Sequence, residues 1–283
     1  MVSLRLLRSR PTGVNLLLGA AALALVSALV AALLFLSHGG RWFVVATPSM
    51  GTTAPVGTFV MTQPTTVSAL HVGDVISFHP PTNPGETYTH RIVSIADAAV
   101  STRGDINGAT DPWTLHDADL IGRAITVLPG VGWLVRGLPL VAIGFAIVLL
   151  LTHFARSRQR RASFRIVGTA LVVSLADFWL RPFTGVQVLQ TFVHGTDAGA
   201  TVVSTGLLPI RVTAIGGNHA DLLSGQVGQL SIPSYLHDDY YRIQTSLHLD
   251  VWGWIVFFLI CCIPLFATVI FGLPSKNEQE QFA

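Results

Sequence analysis

The sequence predicts a membrane protein of about four transmembrane helices that carries two small β-rich domains outside the membrane. Three observations predict it. Long apolar stretches dominate a chain in which 51% of residues are hydrophobic and only 11% are charged, a balance foreign to a soluble enzyme. The arginines gather beside some of these stretches and not others. Between the stretches, the chain changes to short β-branched and aromatic runs broken by Gly, Pro, Asn and Asp.

Residues 1–13, with Arg5, Arg8 and Arg10, read as a cytoplasmic N-terminus, and residues 14–37 as the first span. Val14 to Leu36 carry no charge, and at about 1.5 Å per residue they cross a hydrocarbon core of about 30 Å. A cleaved secretory signal is the alternative, but its apolar core is typically about 7–15 residues, so a retained anchor is expected. Residues 138–154 form a second span, 155–163 a basic cytoplasmic loop, and 164–180 a third, weaker span. Asp177 lies near the end of that third span with Arg181 at i+4, a pairing that suits an interface. A fourth span covers 251–272 and a cytoplasmic tail covers 273–283. Short cytoplasmic loops collect Lys and Arg, so the loop with Arg156, Arg158, Arg160, Arg161 and Arg165 belongs inside. Residues 38–137 and 181–250 are then left outside, as extracytoplasmic domains of a multi-pass protein of the plasma membrane.

Composition also removes whole classes of function. The net charge of +2 has no long basic run behind it, which excludes nucleic acid as an expected partner. The lipid bilayer is the expected one. The two cysteines, Cys261 and Cys262, are adjacent within an apolar run and cannot bridge distant segments. No cofactor or metal is expected.

In the first outer region the runs Thr58 to Met61, Val75 to Phe78, His90 to Ile95, Ala99 to Thr102 and Ile121 to Val127 read as a small all-β domain. Turn residues mark its corners at Val72-Gly73-Asp74, Pro80 to Gly85 and Arg103-Gly104-Asp105. Three polar features stand out: Ser49 in Thr47-Pro48-Ser49-Met50, His90 in Tyr88-Thr89-His90-Arg91-Ile92, and Asp105 in Arg103-Gly104-Asp105-Ile106-Asn107 followed by Asp111. A serine hydroxyl is a weak nucleophile near neutrality and needs a neighbour to take its proton. Imidazole suits that task, and a carboxylate can hold the ring in the required tautomer. A lysine base is the other option, but the one lysine, Lys276, falls in the inner tail.

These residues resemble the type I signal peptidases, in the Ser/His branch typical of archaea, the endoplasmic reticulum and some Gram-positive bacteria. The resemblance runs from about Trp42 to Leu134 and is ordered. Ser49-Met50 follows a first span, then Val72-Gly73-Asp74-Val75-Ile76-Ser77-Phe78, Thr89-His90-Arg91-Ile92-Val93, Thr102-Arg103-Gly104-Asp105-Ile106-Asn107, Asp111 and Ile121-Gly122-Arg123-Ala124. It implies a signal-peptidase-like extracytoplasmic catalytic domain with Ser49 as nucleophile, His90 as general base, Asp111 as the acid that orients it and Asp105 in support. The implied partners are exported precursor proteins with signal peptides, bound as an added strand. Two features depart from the family. Gly51-Thr52-Thr53-Ala54-Pro55 replaces the usual acidic residue and proline directly after Ser-Met, and Arg103 replaces a lysine.

The second outer region, 181–250, carries alternating runs at Thr201 to Thr205, Pro209 to Ile215 and Gln226 to Ile232 and reads as a small β-rich accessory domain. Its His194, Asp197, His219, Asp221 and His237-Asp238-Asp239 are expected to be structural or solvated and not metal ligands. Two alternatives to a general signal peptidase stand beside it. One is a non-catalytic membrane scaffold that binds exported chains. The other is a processing peptidase dedicated to a few surface or pilin-like substrates.

Overall fold

The computed structural model describes residues 12–154, 158–233, 242–259 and 262. The first helix, α1 (Thr12–Ser37), is apolar on every side, as a helix surrounded by lipid should be. It stops at His38-Gly39, where Gly39 takes a positive φ of 79°. The chain then enters a six-stranded antiparallel sheet made of β1 (Arg41–Val44), β2 (Phe59–Gln63), β3 (Val75–Phe78), β4 (Tyr88–Ala96), β5 (Ala99–Arg103) and β6 (Leu120–Leu128). Their order across the sheet is β1-β2-β6-β3-β4-β5.

Alternation explains the register. Ile76, Phe78 and Ile92 point to one face and are almost fully buried with Val67, Leu70, Val100 and Leu115, while Tyr88, Ile95, Trp113 and Leu120 close the edge of this core. Truncating a side chain such as Phe78 to alanine in a core of this kind typically costs about 3–5 kcal/mol. The expected strands appear with ends shifted by one or two residues. β1 was not among them, because four residues that run from exposed to half-buried show no period-2 signal.

α2 (Val131–His153) begins earlier than the expected Leu138. Tertiary contact extends it: Gly132 lies against Val44 and Gly57, and Trp133 against Gly57. That docking offsets the cost of Pro139 inside the helix. α3 (Arg158–Leu180) likewise starts before Phe164, so Arg160, Arg161 and Arg165 stand on a helix, and Arg165 Nε donates to Thr152 Oγ1 of α2 at 3.2 Å. The two helices run antiparallel, with Gly137 beside Leu180, Gly144 beside Val172, and Gly168 beside Val148. Small residues at those points let the helices approach closely. At the end of α3, Arg181 turns out of the helix with φ 49° and lies over the Phe178 ring at 5.8 Å.

The second β unit is two three-stranded antiparallel sheets. One contains β7 (Val186–His194), β8 (Asp197–Ser204) and β11 (Val227–Ile232), in the order β11-β8-β7. The other contains β9 (Ile210–Ala214), β10 (His219–Leu222) and β12 (Ile243–Leu247), in the order β10-β9-β12. Ala200, Val202 and Leu230 from the first share one core with Ile210, Val212, Ala214 and Leu222 from the second. Among the described residues three helices are long and apolar enough to cross a membrane: Asn15–Ser37, Val131–His153 and Arg160–Leu180. Of the expected fourth span, residues 251–259 are helical. The rest of that span except 262, the tail with Lys276, residues 1–11, and His237-Asp238-Asp239 lie outside the described residues.

Candidate active site

Ser49 sits in a short 3-10 turn, Pro48–Met50, that follows β1. Proline at the start of the turn fixes its φ, and Met50 anchors it with 1% of its surface exposed. The Gly104–Ile106 segment holds the turn from one side: the Ile106 N–H donates to the Ser49 carbonyl at 3.0 Å. A Cβ on Gly104 would stand 2.7 Å from that same carbonyl, so the Gly in the Arg103-Gly104-Asp105 box is required by close approach.

His90 lies on β4 opposite Ile76 of β3, and Thr102 lies on β5 opposite Ile92. The structure joins these elements through one chain of hydrogen bonds. His90 Nε2 is 3.1 Å from Ser49 Oγ, and His90 Nδ1 is 2.7 Å from Asp111 Oδ2. An ionised carboxylate only accepts, so Nδ1–H donates to it and Nε2 is left with a lone pair facing the serine hydroxyl. Thr102 Oγ1 also donates to Asp111 Oδ2, at 2.6 Å, while the Asp111 backbone N–H donates to the Thr102 carbonyl at 2.8 Å. Both the imidazole and the carboxylate are over 90% buried, and a buried hydrogen-bonded pair of this kind is rigidly placed.

Asp105 is elsewhere. Its two oxygens accept from Arg91 Nε and Nη2, each at 2.8 Å, and Oδ2 accepts from Thr53 Oγ1 at 2.6 Å. Burial alone would push this carboxyl up, but the bonds from Arg91 and Thr53 and the positive charge nearby outweigh it and hold the group below the usual carboxylate range. Asp105 therefore ties the loop after Met50 to β4 and makes no hydrogen bond to His90.

Two contributors were not legible as site residues in the sequence. Thr102 stands in the quoted box but nothing in its spacing shows that its hydroxyl meets Asp111. Tyr88 stacks on His90 with ring centres 5.8 Å apart and planes 1° from parallel, and Trp113 stacks on Tyr88 at 5.6 Å. Tyr88 could have been found, since residues i and i+2 of a strand share a face. Hydrogen bonding to Glu86, burial and nearby negative charge push its phenol up, so it lies against the imidazole as a neutral ring. Among the described residues no group of three or more His, Cys, Asp or Glu is placed to hold a metal ion.

Residues 18–109 match the family model of signal peptidase, peptidase S26. The matched third of the chain contains α1 from residue 18 on, the Ser49 turn, His90 and Asp105, and ends two residues before Asp111. It supports a signal peptidase domain of the serine peptidase type, acting on precursors that bear signal peptides. No curated protein and no solved structure gives a significant match to the chain.

Proposed function

We propose that this chain is a membrane-bound serine endopeptidase of the Ser/His branch that removes signal peptides from exported precursors at the outer face of the plasma membrane. The single observation that carries the reading is the hydrogen-bonded series Ser49–His90–Asp111, with distances of 3.1 and 2.7 Å. His90 Nε2 takes the proton from Ser49 Oγ as that oxygen bonds to the scissile carbonyl carbon. Asp111 keeps Nδ1 protonated and stabilises the imidazolium that forms. The tetrahedral oxyanion accepts from the Ser49 backbone N–H. The C–N bond then breaks, and the imidazolium gives its proton to the leaving amine of the mature protein. Water, deprotonated by His90, attacks the ester that links the signal segment to Ser49; the C–O bond breaks and the proton returns to Ser49.

Thr102 and Tyr88 act on this chemistry through their neighbours, Thr102 by fixing the carboxylate and Tyr88 by fixing the plane of the imidazole. The position of the turn suits the substrate. Eleven residues separate Ser37, the last of α1, from Ser49, and Phe35 of α1 stacks on Trp42 of β1 at 6.1 Å, which keeps the nucleophile near the bilayer surface where a signal segment emerges.

The test is cleavage of an exported precursor by purified enzyme in lipid vesicles. Ser49→Ala and His90→Ala should each lower the rate by about 10⁴-fold or more, and the double variant should lose little beyond either single one, because the two groups act as a unit. Cleavage by Ser49→Ala near the parent rate rejects the enzyme. Retained cleavage by His90→Ala alone rejects the base. A parent protein that binds precursor and never releases a product favours a scaffold.

A further inference from the structure

We infer that the second β unit positions the nucleophile: its Leu223–Gln226 turn clamps the peptide after Met50 and so fixes where Ser49 stands. The inference rests on the reading of Ser49 as nucleophile and extends it to a part of the chain that the matched family model does not reach.

The turn between β10 and β11 is tightly made. Gln226 N–H donates to the Leu223 carbonyl at 2.9 Å, and the Leu223 N–H donates to Gln226 Oε1 at 2.8 Å. Two more backbone bonds pin it to the end of β8, from Gly225 N–H to the Ser204 carbonyl at 2.9 Å and from Ser204 N–H to the Gln226 carbonyl at 3.0 Å. At its tip Gly225 adopts φ 76°, and a Cβ there would overlap the Gly51 carbonyl and come within 2.9 Å of the Thr52 nitrogen. Gly51 has an unusual conformation of its own, with φ 52° and ψ −131°, a combination open to glycine and strained for other residues. Two glycine backbones are therefore pressed together, and one of them closes the 3-10 turn of Ser49 through its N–H bond to the Pro48 carbonyl at 2.8 Å.

The nucleophile turn is thus held from two directions. Gly104, Ile106 and Asp105 grip it from the turn after β5, the last through Thr53. Gly225 covers it from the accessory unit. The loop so covered is the Gly51 to Pro55 segment, the part of the chain that departs from the signal peptidase pattern. A second contact keeps the units in register: Leu207, which precedes β9, lies against Gly130 at the start of α2, 3.0 Å from where a Cβ would stand. A displacement near 1 Å at a reacting group can cost about 10²-fold in rate, so a rigid cover here acts on turnover more than on binding.

Gly225→Ala tests the clamp, with Gly195→Ala as its matched control. Gly195 lies in the β7–β8 turn with φ 61° and has nothing within 4 Å of where a Cβ would stand, so it carries the same left-handed strain without touching the nucleophile turn. Two readouts are taken on the full chain in lipid vesicles: kcat and KM for a precursor, and amide hydrogen exchange across residues 50–54. Gly225→Ala should lower kcat about 10- to 100-fold with KM within about twofold, and should speed exchange at 50–54, while Gly195→Ala changes neither. Gln226→Ala adds no atom at the contact and removes only the bond to the Leu223 N–H. It should reproduce the faster exchange with a smaller loss of kcat, and it serves if Gly225→Ala fails to fold. Exchange at 50–54 unchanged from the control in the variants that fold overturns the clamp, whatever the activity. A parent enzyme that cleaves nothing counts against the peptidase reading alone, since exchange still decides the clamp.

Discussion

Asp105 and Asp111 lie six positions apart and do different work because of what each one meets. Asp111 accepts from His90 and Thr102 and faces the proposed chemistry. Asp105 accepts from Arg91 and Thr53 and holds two segments together. Its carboxyl titrates below the usual range in the folded protein, so its contribution to stability is complete above the unfolded value of about 3.9 and fades as pH falls through the lower folded value. Asp105→Asn should therefore lower the melting temperature at pH 7, and the gap to the parent should begin to narrow below about pH 4 and close once pH has fallen past the lower folded value. A gap that stays constant down to the acid limit of folding would show that the charge is not what matters. Serine, histidine and two candidate acids could be named from the sequence. Residue types alone left the choice between the two acids open and the resemblance implied Asp111; the contact itself depends on how the segment after β5 folds back, with the Asp111 N–H on the Thr102 carbonyl.

At the scale of elements, the β4–β5 hairpin places both His90 and Thr102, so its turn bears on the site. The strands pair from Ala96 and Ala99 inward, which leaves a two-residue connection, Asp97-Ala98, with φ values of 49° and 54°. Such a turn matches the twist of the strands but asks for positive φ at both residues, which glycine supplies readily and alanine does not. Ala98→Gly should raise stability by about 0.5–1 kcal/mol, read as a higher thermal midpoint in detergent with unchanged precursor cleavage. A lower midpoint would mean that the hairpin is set by side-chain packing and not by the turn. Strand existence was legible here from period-2 runs, while the helical turns of α2 ahead of Leu138 were not. Its first turns are helical because Gly132 and Trp133 dock on Gly57, a contact between residues far apart in the chain.

Over the whole molecule, the antiparallel contact of α2 with α3 returns the chain to the side from which it left, so both β units stand at one end of the helix pair. Five of the six tryptophans, Trp42, Trp133, Trp179, Trp252 and Trp254, fall within a few residues of a helix end that adjoins a β unit. Tryptophan favours the membrane–water boundary, and the basic residues of α3 gather at the opposite end. We propose accordingly that both units are extracytoplasmic. With Cys261 and Cys262 replaced by alanine, a cysteine placed by Thr196→Cys should react with an impermeant maleimide in intact cells. One placed by Arg160→Cys should react only after the membrane is opened. The reverse pattern would invert the protein and remove the proposed substrate from reach.

Sequence by itself determined the elements whose signal is local: apolar stretches of spanning length, alternating strands, turns rich in glycine, and the residue types that peptide-bond chemistry needs. Those follow from side-chain solvation and backbone preference, which act over a few neighbours. The resemblance implied Asp111 as the partner of His90, and tertiary structure brought the two together at 2.7 Å; it alone decided that Thr102 joins them and that a turn at Gly225 rests on Gly51. The separations run from nine positions between Thr102 and Asp111 to 174 between Gly225 and Gly51, and contacts of that kind are chosen by how segments fold back and faces pack, which no local pattern records.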